Sequence, residues 1–239
     1  MKFLVFQHVP HEHPGLLQEL ADAERIEFDR VELWKPHPIP SLSGYGALIV
    51  MGGPMSVYDA DEVYTSKMDE IKAIQSALKN KVPVLGICLG SQLLAHALGA
   101  SVHPNVIDGR RTKEIGYHDV TLTEEGKNSK LFSGFASPIT VFQWHGDAFD
   151  LPEGAALLAT SPLCRNQAFA CGTAYGLLFH FEFAPDMVKR QIALDKEWIH
   201  QDHELDEERL LEDAQHNADL MKKHCRTFFH NFLSIITMH

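Results

Sequence analysis

An α/β fold built on a mainly parallel sheet is predicted by three observations. Short apolar runs alternate with helix-spaced patterns early in the chain, and strand-like runs follow one another directly in the second half. A balance of 45 % apolar and 22 % charged residues over 239 positions supplies the buried core such a sheet needs, in one large domain with an appendage.

Lys2 to His8 is the first apolar run; Leu16, Leu17 and Leu20 behind it read as a helix, and Ile26 to Leu33 as the next strand, so the chain opens β-α-β. Pro36, Pro38, Pro40, Ser41, Ser43 and Gly44 form a turn-rich connection to a buried strand, Ala47 to Met51, which runs into Gly52-Gly53-Pro54. Val63, Met68, Ile71, Ile74 and Leu78 recur at helical spacing, and Lys79-Asn80-Lys81 close that helix before the strand Val82 to Ile87. Ser91 to Leu98 is a second helix, ended by Gly99. Strands are then expected at Ile115 to Leu122, Ile139 to Gln143, Ala155 to Thr160, Asn166 to Cys171 and Tyr175 to Glu182. From Pro185 the pattern turns to charged amphipathic helices, Met187 to His200 and Glu207 to Phe232. The order implies a flavodoxin-like sheet with helices on both faces, extra antiparallel strands, and C-terminal helices. We expect an α/β domain over 1–184 and a helical extension over 185–239, which either packs on the domain or forms a homodimer interface.

Lys plus Arg number 21 against 32 Asp plus Glu, and the net charge of −11 repels a phosphate backbone, which argues against nucleic acid as a partner. Val82 to Val102 approaches the roughly 20 residues of a membrane span but carries Pro83, three glycines, Ser91, Gln92 and His96. Phe3 to Phe6 is too short for a signal-peptide core of about 7 to 15 residues. The expected location is the cytoplasm. Cys88, Cys164, Cys171 and Cys225 are too few for a disulfide framework and are expected as free thiols, with Cys164 and Cys171 in the core.

The most informative stretch is Val82-Pro-Val-Leu-Gly86-Ile-Cys88-Leu89-Gly90-Ser-Gln92, an apolar strand entering Gly-x-Cys-x-Gly and then a helix. With serine at its centre this arrangement is a nucleophile elbow. The glycines give the turn room, and the helix N-terminus is expected to lower the Cys88 thiol pKa. A thiol nucleophile needs a base, and the base needs an orienting group. Three His-x-acid pairs are available: His145 with Asp147, His180 with Glu182, and His200 with Asp202. On a strand, residues two apart share a face, which favours His180 and Glu182; on a helix that spacing fails, which demotes His200. His145 stays open as a loop histidine. The Gly52-Gly53-Pro54 turn offers backbone N–H groups for an oxyanion, although such a turn alone often only reverses the chain. His8, His11 and His13 lie around Pro10 and Pro14 without cysteine partners and are read as a solvated loop, not a metal site.

Taken together, Gly-Gly-Pro at 52–54, Gly-Ile-Cys-Leu-Gly-Ser-Gln at 86–92, Trp-His-Gly-Asp at 144–147 and Phe-His-Phe-Glu at 179–182 resemble the class I, triad-type glutamine amidotransferases over roughly residues 40 to 185. Within them the chain looks most like the stand-alone branch near the amidotransferase domain of GMP synthase and the γ-glutamyl peptidases. The resemblance implies that Cys88 is the nucleophile, His180 the base and acid, and Glu182 its orienting residue. It further implies an oxyanion hole from the N–H groups of Gly53 and Leu89, and a glutamyl pocket lined by Gln92, Gly146 and Asp147. It implies hydrolysis of glutamine or another γ-glutamyl compound with neither metal nor organic cofactor. Two departures stand out. Phe181 occupies the place where the family usually has proline, which restores a backbone N–H. The sequence also ends at His239 without an ATP-pyrophosphatase domain. Two other readings fit the motifs: a glutaminase that supplies ammonia to a separate synthetase partner, and a non-catalytic binding module on the same fold.

Overall fold

A computed structural model describes residues 1–36, 38–201 and 205–237. In chain order the first half runs β1 (Lys2–Gln7), α1 (Leu16–Ala23), β2 (Glu27–Glu32), β3 (Ala47–Val50), α2 (Lys67–Lys79), β4 (Val84–Ile87) and α3 (Leu89–Ala97). Short strands β5 (Val102–Pro104), β6 (Val106–Ile107) and β7 (Arg110–Arg111) lead to β8 (Glu114–Leu122), the short helix α4 (Glu124–Asn128), β9 (Ile139–His145) and β10 (Asp147–Phe149). Then come β11 (Ala156–Thr160), β12 (Ala168–Cys171) and β13 (Ala174–Leu177), followed by α5 (Pro185–Leu194), α6 (Lys196–His200), α7 (Glu207–His216) and α8 (Ala218–Ile236).

The central sheet has the order β2-β1-β3-β4-β13-β12-β11-β8-β9. Its pairings are parallel from β2 through β13 and antiparallel from there to β9. This is the predicted α/β class, with the late strand-after-strand region supplying the antiparallel half. The parallel strands are buried on both faces, so their side chains sort by pleat. Phe3, Val5, Ile49, Leu85 and Ile87 face Leu16, Leu17 and Ala21 of α1 and Phe228, Phe229 and Phe232 of α8. Leu4, Phe6, Leu48, Val50 and Val84 face Ile71, Ile74 and Ala77 of α2 and Leu93 and Leu94 of α3. A third cluster sets Ile115, Phe142 and Trp144 against Phe183, Met187, Val188, Ile192, Ile199 and Leu210. The C-terminal helices therefore pack on the sheet of their own chain.

Several expected boundaries move. The helix predicted from Val63 begins at Lys67, because Ala60 already takes the N–H groups of Val63 and Tyr64 in a turn. Met187–His200 divides at Asp195, and Glu207–Phe232 divides at Asn217. The strand expected to reach Glu182 stops at Leu177. Cys164 lies in the turn between β11 and β12 and not on a strand, yet is buried as expected; Cys171 ends β12 half-buried. All four cysteines are free. No helix among the described residues is long and apolar enough to cross a membrane.

Candidate active site

β4 ends in the elbow. Cys88 has φ 51° and ψ −111°, a left-handed conformation that costs a non-glycine residue of order 1–3 kcal/mol and persists where the surroundings hold it. They do: the Cys88 N–H donates to Leu177 O at 2.8 Å, and its carbonyl accepts from the Ser91 N–H at 2.9 Å and the Ser91 hydroxyl at 2.7 Å. The flanking glycines are required by close approach. A Cβ on Gly90 would stand 2.0 Å from Val50 O, and one on Gly86 2.3 Å from Gly90 O.

His180 arrives from beyond the end of β13, tied by a two-way backbone bridge to Phe142 of β9, with N–H to O distances of 2.8 and 3.3 Å. Phe183 packs edge-on against its ring at 4.6 Å between centroids. Its Nδ1 lies 2.7 Å from Glu182 Oε1, and both side chains are 1 % exposed. The second Glu182 oxygen accepts the Phe181 N–H at 3.1 Å, the donor a proline at 181 would lack. His180 Nε2 is buried, and beyond Glu182 the group that acts on the ring is the Cys88 side chain, each drawing the other toward its charged form. Burial opposes charge on the His180 ring, but the Glu182 carboxylate and Cys88 outweigh it and hold its pKa well above the usual value. For Cys88 the expected lowering is overturned. Burial pushes the thiol pKa up more than His180 and the Leu89 N–H pull it down. The sequence showed the helix N-terminus but not the dry surroundings.

A cavity of about 400 Å³ opens in front of Cys88. Gly53, Gln92, Gly146 and Asp147 line it, as does Cys88 itself, while His180 and Glu182 are not among its lining residues. Leu89 begins α3 beside the cysteine, and a Cβ on Gly53 would come within 2.9 Å of its Cδ2, so the two residues expected to supply an oxyanion hole are neighbours. Gln92 Nε2 donates to Asp147 O at 3.5 Å. The Asp147 carboxylate is held by the hydroxyls of Ser56 at 2.5 Å and Tyr58 at 2.8 Å.

The other histidine pairs do not assemble. His145 is the last residue of β9 and not a loop residue; its Nε2 meets Glu114 Oε2 at 3.0 Å and its Nδ1 the Asp147 carbonyl at 3.1 Å. His200 pairs with Glu207 at 2.8 Å on the surface, and Asp202 lies outside the described residues. His8 is not solvated: it is buried, with Glu70 at 2.8 Å and Gly52 O at 2.9 Å. Among the described residues no group of three or more His, Cys, Asp or Glu is arranged to hold a metal ion.

Sequence reasoning missed the wall contributed from elsewhere in the chain. Glu12 lines the cavity, and burial pushes its carboxyl pKa up to about 7. Asp195 and Trp198 line it from the extension; Asp195 accepts from Trp144 Nε1 at 2.8 Å and from Gln191 Nε2 at 2.7 Å. Nothing local ties Glu12 or Asp195 to residue 88, and the break at Asp195, within a stretch that reads as one helix, is visible only in the structure.

Comparison with known proteins bears on the same region. A glutamine amidotransferase-like protein of Salmonella typhimurium, YfeJ, is 37 % identical over 167 residues, covering 69 % of this chain and 67 % of its own. The GMP synthase of Porphyromonas gingivalis is 36 % identical over 155 residues, 63 % of this chain but 28 % of that enzyme, so the chain matches only about a quarter of it. A glutamine amidotransferase from Thermotoga maritima superposes with a TM-score of 0.87 at 33 % identity, covering 98 % of both chains. With the family model for glutamine amidotransferase class-I matching residues 17–197, the chain belongs to the class I glutamine amidotransferase family.

Proposed function

We propose that the chain hydrolyses a γ-glutamyl amide, glutamine or a γ-glutamyl peptide, through a glutamyl thioester on Cys88. The observation that carries this reading is the buried His180–Glu182 pair at 2.7 Å, whose ring draws the thiol of the elbow cysteine toward its charged form. His180 takes the thiol proton, and the thiolate attacks the amide carbon. The N–H groups of Gly53 and Leu89 receive the charge that develops on the carbonyl oxygen. His180 then protonates the departing amine as the C–N bond breaks. In the second half-reaction His180 takes a proton from water, the hydroxide attacks the thioester carbon, and the thiol and glutamate are released. Glu182 holds the ring and stabilises the imidazolium throughout. Gln92, Gly146 and Asp147 bind the glutamyl end.

A γ-glutamyl compound larger than glutamine is supported by the size of the cavity, since about 400 Å³ lies in the range that accepts drug-sized ligands. Supply of ammonia to a synthetase is a second reading. It is favoured by a relative from Saccharolobus solfataricus that is named as one subunit of a glutamine-hydrolysing GMP synthase. That protein is 31 % identical over 156 residues, and the match covers 76 % of it.

The test is steady-state release of glutamate, with ammonia or amine, from glutamine and γ-glutamyl peptides by the purified chain. Turnover is expected in the isolated protein, and Cys88→Ala is expected to lower it by about 10⁴-fold or more. Turnover that survives Cys88→Ala overturns the mechanism. Turnover that appears only on adding a synthetase favours the second reading.

A further inference from the structure

His8 follows directly on β1 and is expected in solvent from its sequence context, yet its side chain and that of Glu70 are fully buried. Its Nδ1 lies 2.9 Å from Gly52 O and its Nε2 2.8 Å from Glu70 Oε2. A carbonyl oxygen only accepts, so Nδ1 donates to Gly52 O. Glu70 also accepts from the hydroxyls of Tyr64 at 3.2 Å and Ser66 at 2.7 Å.

The acceptor of Nδ1 matters because of what lies across the peptide bond. In a trans peptide the C=O and N–H point in opposite directions. Holding Gly52 O against His8 therefore turns the Gly53 N–H away from His8, and Gly53 lines the cavity beside Cys88. That N–H donates to no group among the described residues. A Gly-Gly peptide has no side chain of its own to fix its rotation, so its orientation must be imposed from outside. We infer that His8 and Glu70 form a buried clamp on the Gly52–Gly53 peptide that keeps the Gly53 N–H aimed at the substrate carbonyl oxygen. They are positioning residues for the oxyanion hole, and this role rests on the function proposed above.

The clamp needs a donor at Nδ1. With Nε2–H retained by Glu70, a neutral His8 would present a lone pair at Nδ1 to the lone pairs of Gly52 O and push the peptide over. Burial opposes the charge, while Glu70 and the Gly52 carbonyl outweigh it and hold the His8 pKa above its usual value. The titratable groups facing His8 are Glu70 from α2, Tyr64 from the turn before it, edge-on with centroids 6.0 Å apart, and Glu12 from its own loop.

Removing one member of a buried ion pair alone can unfold a protein, so the test replaces both. In His8→Leu with Glu70→Met the site is apolar and has no donor for Gly52 O. In His8→Asn with Glu70→Gln it is uncharged, but the asparagine amide can donate where Nδ1 did. The expected result is a loss of about 10²–10³-fold in kcat for the Leu/Met pair, with KM changed less than about threefold. The Asn/Gln pair is expected to stay within about tenfold of the parent. Equal losses in the two pairs, or parent-like kcat in the Leu/Met pair, overturn the clamp. Crystal structures of the parent and both pairs give a readout independent of turnover: Gly52 O should point at residue 8 in the parent and the Asn/Gln pair and be rotated away in the Leu/Met pair. If the parent hydrolyses no γ-glutamyl amide, the proposed function fails, and an unrotated carbonyl in the Leu/Met pair still overturns the clamp.

Discussion

Glu12 and Phe181 show how single residues around the site trade stability against function. Burial raises the Glu12 carboxyl from 4.5 to about 7, against the opposing pull of His180. The folded state then holds a proton that the unfolded chain releases between those values, so this group's contribution to stability falls as pH rises from about 4.5 to 7 and is level above. Glu12→Gln removes the titration. Urea unfolding should show the variant gaining on the parent across that window, by on the order of 3 kcal/mol at pH 8; parallel stability–pH curves would refute the assignment. Phe181 has two separable parts. Its ring, 2 % exposed, packs on Phe135, Phe179 and Phe228 at 5.6, 5.2 and 5.5 Å, while its N–H supports Glu182. Phe181→Ala keeps the N–H, so stability should drop by about 3–5 kcal/mol while kcat stays within about threefold at a temperature where the variant is folded. A hundredfold loss of kcat in the folded variant would instead place the ring in the machinery.

Elements explain both what could be read from the sequence and what could not. The elbow was legible because its causes are local: an apolar strand, two glycines that the backbone contacts demand, and a helix start, all within residues 82 to 98. The His180–Glu182 pair follows from a strand spacing that the backbone only partly keeps. That spacing puts the two on one strand face, whereas the strand stops at Leu177 and a single bridge to Phe142 carries His180 onward. The closeness of the two in sequence survives that change of backbone. His8, Glu12 and Asp195 were illegible because their partners lie on other elements, with His8 and Glu70 62 positions apart in sequence and Glu12 and Gln191 179. The same long-range packing makes the C-terminal helices integral to the fold. Phe228, Phe229 and Phe232 of α8 are buried against the core around Phe3, at about 1.5–3 kcal/mol each, and together they rival a domain's whole stability of about 5–15 kcal/mol. A chain cut after Ala184 is therefore expected to lose its near-ultraviolet circular dichroism and to bind hydrophobic dyes. A cooperative unfolding transition in that fragment would show the two parts to be independent.

At the scale of the molecule, every group the proposed mechanism uses comes from one chain, yet from distant parts of it. The cysteine stands at the end of the central strand β4, its base follows the neighbouring β13, and the two strands pair in register at Gly86 and Gly176. β13 enters the sheet beside β4 only after the whole antiparallel half has been threaded, a closure that no local pattern announces. Once made, it sets His180 at the carboxyl ends of the parallel strands, where ligands bind in open α/β sheets. Helix α5 and the start of α6 then close the far wall with Asp195 and Trp198. With the proposed nucleophile, base and orienting carboxylate and the cavity walls all supplied within the chain, hydrolysis should need no second copy. Specific activity per chain is accordingly expected to stay constant over a roughly thousandfold dilution, since an activity completed by association falls off by mass action below its dissociation constant. The net charge of −11 works in the same direction, because like-charged copies repel at low ionic strength. The decisive comparison is dilution in low and in high salt. A specific activity that drops on dilution, and drops less in high salt, would mean that screened association of two chains completes the site, and that the wall built by Asp195 and Trp198 is not sufficient.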